Sequence, residues 1–142
     1  MPLMSRSAAE VKALGVSGEE LMRAEVRKVT AGKEVVTEER CRILEIANDA
    51  GDEFVSIARA TVAVGMTTAL HCLNGISERY LIVAGVGRAE LGGDELVEVS
   101  VGDVVRIPPE TAQRITNIGA DDLVFYCICT PPFNQKCYVS LE

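Results

Sequence analysis

The sequence has no tryptophan, three tyrosines, three phenylalanines and a single histidine, His71. With aromatic residues at 4%, the core has to be built from Val, Ile, Leu and Ala, and the β-branched residues that crowd the chain after residue 42 favour strands. One imidazole excludes a metal centre of two histidines and a carboxylate assembled within one chain. The five cysteines, Cys41, Cys72, Cys127, Cys129 and Cys137, form no C-x-x-C pair and no zinc-finger spacing. Their odd count argues against a disulfide framework, and they read as reduced, mostly buried thiols. No apolar stretch approaches the ~20 residues that cross a bilayer, and the first residues, MPLMSRSAAEVKALG, lack a signal-peptide core, so a cytoplasmic protein is expected. Positive charge is short as well. The formal net charge is −7, and the densest basic cluster, Arg23, Arg27 and Lys28, stands among glutamates. Neither nucleic acid nor a membrane surface is an expected partner.

At 142 residues and 48% hydrophobic composition the chain fits one domain able to bury a sizeable core. Its character changes near residue 40. Before that point, Ser7 with Glu10 and Ser17 with Glu20 each have the S-x-x-E spacing of a capping box, in which serine covers a free backbone N–H and glutamate reaches back. Two short helices are predicted, broken at Gly15, the second carrying Met22, Val26 and Val29 on one face. Residues 1–40 therefore read as a helical N-terminal appendage and 41–142 as a β domain. From RCRILEI onward, short β-rich units alternate with turn signals such as DAGDE, LGGDE, VGD, IPPE and NIGADD, which predicts seven to nine strands. No helical pattern separates them, so the fold is all-β and antiparallel: a sandwich, a barrel or a jelly roll. GVGRAELGG reads as a hairpin, because no strand-to-helix transition follows it.

Two stretches carry a family resemblance. In GMTTALHCLNGISERYLIVAG, the spacing of Gly65, His71, Glu78 and Gly85 resembles the first motif of the cupin superfamily; in GDVVRIPPETAQRITN, Gly102, Pro108 and Asn117 resemble the second. The resemblance covers residues 65–117 and implies a double-stranded β-helix, a jelly-roll barrel. In cupins two histidines and a glutamate of the first motif, with a histidine of the second, hold a divalent metal inside the barrel. This sequence departs at Leu73, Glu110 and Gln113, where that pattern has histidine, glycine and histidine. What the resemblance leaves is a degenerate metal set of His71, Glu78 and Gln113, able to hold iron, manganese, nickel or zinc only weakly.

Alternation along a strand puts residue 73 on the same face as His71, puts Tyr80 beside Glu78, and turns Cys72 away from His71, which leaves no Cys/His catalytic pair. Glu78 and Tyr80 are the candidate proton-transfer residues, and Leu73, Arg59 and Arg106 the candidate pocket residues. A carboxylate inside a barrel needs a metal or an arginine, and Arg59 or Arg106 is the expected partner if no metal is present. Cys127 and Cys129 share a face of a late strand, as small core residues or beside the site. Asn117 is expected to fix a turn or strand end. The bland reading of His71 is a buried, hydrogen-bonded imidazole.

A fold does not name a reaction. The reading the sequence favours is a small-molecule-binding barrel with a degenerate metal site. The alternatives are a metal-dependent enzyme of isomerase, lyase or oxygenase type acting on a small oxygenated substrate, and a purely structural barrel. Unpaired sheet edges, together with helices too narrow-faced to stand alone, predict a homodimer.

Overall fold

The computed structural model describes residues 22–142, which form eleven strands. These are β1 (Val35–Val36), β2 (Arg42–Ala47), β3 (Ser56–Val62), β4 (His71–Leu73), β5 (Ser77–Ala84), β6 (Val86–Leu91), β7 (Glu95–Ser100), β8 (Val104–Ile107), β9 (Gln113–Asn117), β10 (Leu123–Thr130) and β11 (Tyr138–Ser140). They build two sheets, of order β1-β2-β3-β10-β5-β8 and β11-β4-β9-β6-β7, with every pairing antiparallel. The expected strand number is exceeded because β1, β4 and β11 have two or three residues each, too few to show an alternating pattern.

Alternation within the longer strands decides what lies between the sheets. Along β5, Glu78, Tyr80 and Ile82 are buried while their neighbours are more exposed; along β10 the inward row is Phe125, Cys127 and Cys129. Ile82, Ile115, Leu123, Val62 and Phe125 belong to one apolar cluster, while Leu73, Ile76 and Cys129 form a second with Phe133 and Tyr138 packed against it.

The spaced glycines and Asn117 of the two motifs act on the backbone. Gly85 has φ +84, and a Cβ there would stand 2.6 Å from the carbonyl oxygen of Asp122, so only glycine lets β5 turn into β6. Glu110, at the position of the motif glycine, also has a left-handed φ of 60; its carboxylate accepts the Gly75 N–H at 2.8 Å. Asn117 closes the turn after β9, as expected. Its amide donates to the carbonyls of Val62 and Asp121, both at 2.8 Å, and its Oδ1 accepts the Gly119 N–H.

The predicted N-terminal helices are corrected where the structure describes them. Residues 22–28 have no regular structure and Val29–Ala31 form one 3-10 turn. Met22 and Val26 are 71% and 78% exposed, so their apolar stripe buries nothing to offset the ordering of a helix. Both capping boxes lie outside the described residues. Residues 35–36, assigned by sequence to the appendage, pair with β2 and belong to the first sheet.

Candidate functional site

Between the sheets lies a cavity of about 720 Å³, lined by members of both apolar clusters. The inner row of β5 changes character as it enters it. Ile82 stays in the core, Tyr80 stands at the wall, and Glu78 ends the row as a carboxylate 7% exposed. Glu78 Oε2 accepts a hydrogen bond from the Cys129 thiol at 3.4 Å, whereas Oε1 is buried with no partner among the described residues. Burial pushes the Glu78 carboxyl up to about 7, against the lowering effect of the Cys129 thiol and of the Gln113 and Tyr80 side chains, which stand close to the carboxylate without making a hydrogen bond to Oε1.

His71 lines the same cavity from β4. Its Nδ1 lies 2.8 Å from the Ala69 carbonyl oxygen, which fixes the Nδ1–H tautomer and leaves Nε2 as the nitrogen free to meet a ligand. Its ring stacks on Tyr138, with centroids 4.8 Å apart and planes 21° apart. Leu73 lines the cavity on the same face and Cys72 does not. Tyr80 donates its hydroxyl to Gln113 Oε1 at 2.5 Å and packs against Phe125 at 4.4 Å. Burial raises the Tyr80 hydroxyl well above its ordinary range, so it stays protonated. Gln113 is paired with His71 across β4 and β9 and is 1% exposed; its side chain does not line the cavity but stands against two residues that do, Tyr80 and Glu78.

The two arginines are a correction. Arg59 and Arg106 do not line the cavity. Arg59 lies between inward-facing Ala58 and Ala60 on β3 and turns to Glu34 at 3.6 Å; Arg106 lies between buried Val105 and Ile107, exposed and opposite Arg79. The alternation that buries Glu78 turns both guanidinium groups outward.

Three contributions were not legible in the sequence. Glu39 comes from the loop between β1 and β2 and lines the cavity near His71, its backbone oxygen accepting the Ala69 N–H at 3.1 Å. Burial raises its carboxyl, and the attraction of His71 opposes that rise. Tyr138 arrives because β11 pairs with β4, and Phe133 from the preceding segment, its N–H held by Ser56 Oγ at 2.8 Å. Cys127 and Cys129 both reach the cavity, and all five thiols are free. Burial raises both thiols, so neither is a ready nucleophile.

The donors available fall short of a metal centre. A resident zinc ion takes three or four side-chain ligands. Gln113 Oε1 already accepts the Tyr80 hydroxyl, and Leu73 places hydrocarbon where a second imidazole would stand. That leaves His71 Nε2 and Glu78, and among the described residues no group of three His, Cys, Asp or Glu side chains gathers around one point. Two donors do not fit a resident ion.

The architecture matches solved structures over most of its length. Pac13 from Streptomyces, described as a unique nucleoside dehydratase, superposes with a TM-score of 0.72 at 17% identity, covering 84% of this chain and 92% of its own. The chain has the cupin-like double-stranded β-helix fold. KdgF from Halomonas shares this fold, with a TM-score of 0.69 at 15% identity over 80% of this chain and 99% of its own. So does a Klebsiella pneumoniae protein described by its double-stranded β-helix domain, at 0.68 and 12% over 84% and 99%. In sequence, an uncharacterized protein of Methanocaldococcus jannaschii is 38% identical over 81 residues; the match spans 57% of this chain and 64% of that protein. No family model matches. No described helix is long and apolar enough to cross a membrane.

Proposed function

We propose that this chain binds a small polar molecule inside its barrel, contacted by Glu78, His71 and Glu39. The observation that carries the reading is the unpartnered Oε1 of Glu78 in a cavity of about 720 Å³. A buried carboxylate oxygen left without a donor costs folding free energy, and a site that retains one keeps it for a ligand. The cavity also weighs against a purely structural barrel packed with side chains. Pac13 has been solved with uridine, which supports uridine, ribose and glycerol as first probes. The test is an NMR titration of the full chain with each. Shifts confined to residues around Glu78 and His71, lost in Glu78→Gln, support the reading; absence of shifts with every probe counts against it.

A second reading, that of an acid–base enzyme, is favoured by the carboxyl held at about 7 across the cavity from an imidazole with a free Nε2. In it, His71 Nε2 takes a proton from carbon while protonated Glu78 gives one to a leaving hydroxyl, so that a C–H and a C–OH bond become a double bond and water. Tyr80 would hold the substrate oxygen, released from Gln113. A bell-shaped pH profile with one limb near 7, lost in Glu78→Gln, is its expected signature. Metal analysis of gently purified protein is the check on both. One equivalent of ion, absent from His71→Ala, would replace them with the weak set His71, Glu78 and Gln113.

The assembly we propose is a homodimer. Edge strands β1 and β7 present Val35, Val36 and Leu96 at 49%, 79% and 61% exposure. Light scattering that returns the monomer mass, 15.2 kDa, at micromolar concentration would remove it.

A further inference from the structure

The charge and ring content of the cavity say what kind of molecule it takes. The chain has only six tyrosine and phenylalanine side chains, and four of them, Tyr80, Phe125, Phe133 and Tyr138, line this one space. All four also belong to the two apolar clusters or pack against them, so the same rings serve as core and as cavity wall. The lining carboxylates are Glu78 inside, half-buried Glu39, and Glu38 and Glu45 toward the outside; the lining lysine is Lys33, exposed at the rim. No arginine is among them, and Arg59, the nearest expected partner, is engaged with Glu34. The buried Oε1 of Glu78 thus has no partner in a cavity walled by aromatic side chains and further carboxylates, whose one lysine, Lys33, is exposed at the rim.

We propose that the ligand is a small organic cation, an alkylammonium or quaternary ammonium compound, whose nitrogen sits against Glu78 with the aromatic side chains around its carbon substituents. A ring face attracts a cation through its quadrupole, and a carboxylate out of water attracts it through charge; together they replace the solvent that the ammonium gives up. A neutral ligand would leave Glu78 Oε1 uncompensated unless it donated a hydrogen bond there, and an anion would meet repulsion from Glu78 and Glu39 together. The two carboxylates define the path as well. Glu39, on the loop between β1 and β2, presents negative charge to an incoming cation before Glu78 receives it.

This inference rests on the pocket reading above, and charge-matched probes separate the two. The full chain is titrated by NMR with choline, with the neutral alcohol in which carbon replaces choline's nitrogen, and with butyrate. Choline is expected to bind about tenfold or more tighter than its isostere, and butyrate not at all. Glu78→Gln, which keeps shape and removes charge, should bring choline and the isostere to equal affinity. Glu39→Gln, on the half-buried loop at the cavity wall, should weaken choline alone, with an amide spectrum unchanged away from that loop showing that the fold is kept. Equal binding of choline and isostere to the wild type, tighter binding of butyrate, or binding of uridine or ribose with none of the three, overturns the cation and leaves the pocket. Failure of every probe, charged and neutral, overturns both.

Discussion

The two ends of one strand show how the barrel divides its work. On β5, Ile82 is 1% exposed and sits in an apolar cluster with Val62, Ile115 and Leu123; two steps of the same inward row away, Glu78 is 7% exposed and has an oxygen with no partner. Burial is nearly equal and the chemistry opposite. At the Ile82 end no buried side-chain polar atom among the described residues lacks a partner, and Asn117 alone satisfies the carbonyls of Val62 and Asp121 and the N–H of Gly119. At the Glu78 end, satisfaction stops one atom short. The first end holds the sheets together, and the second leaves a buried carboxylate oxygen unmet at some cost in stability.

Substitutions can break this contrast from either side. The largest effect is expected from Ile115→Ala, where a fully buried side chain is cut back inside the apolar cluster; unfolding in denaturant should show a loss of about 2–5 kcal/mol at any pH. At the other end the sign should reverse. The Glu78 carboxyl titrates near 7 in the folded protein and near 4.5 unfolded, so between those values the folded state holds the proton more tightly. Stability is therefore undiminished below about 4.5 and falls as pH rises toward 7, by about 3 kcal/mol in all. Glu78→Gln should erase that slope, raising stability at pH 8 by about that amount and changing little at pH 4; unfolding curves at both values decide it. Asn117→Ala should cost about 1–3 kcal/mol with no pH dependence, because two carbonyls and an N–H lose their partner together.

The same contrast explains what could be read from the sequence. Alternation put Glu78 and Tyr80 of β5 on one inward face and, given the motif spacing around His71, put His71 and Leu73 on another with Cys72 away from both, because period-two side-chain direction is a local property. The turn glycines and Asn117 were legible for a similar reason, since a left-handed backbone or a side-chain cap is written in one or two residues. Glu39, Phe133 and Tyr138 were not. They enter the cavity through a loop tied to Ala69 and through the pairing of β11 with β4, contacts between residues far apart in the chain that no local pattern marks. The arginine partner expected for Glu78 failed because a need for charge does not say which face an arginine occupies. The helix through Met22, Val26 and Val29 failed because three apolar residues at helical spacing form an element only when something covers them.

Glu78 is a buried carboxyl kept without a full set of partners, and the reading of the cavity depends on it. The direct measurement is a carbon NMR titration of its side-chain carboxyl between pH 4 and 9 on ligand-free protein. A midpoint near 7, well apart from the surface glutamates, is the result expected. A midpoint at or below 4.5 would show that a cation or donor already satisfies Glu78, and would contradict the account.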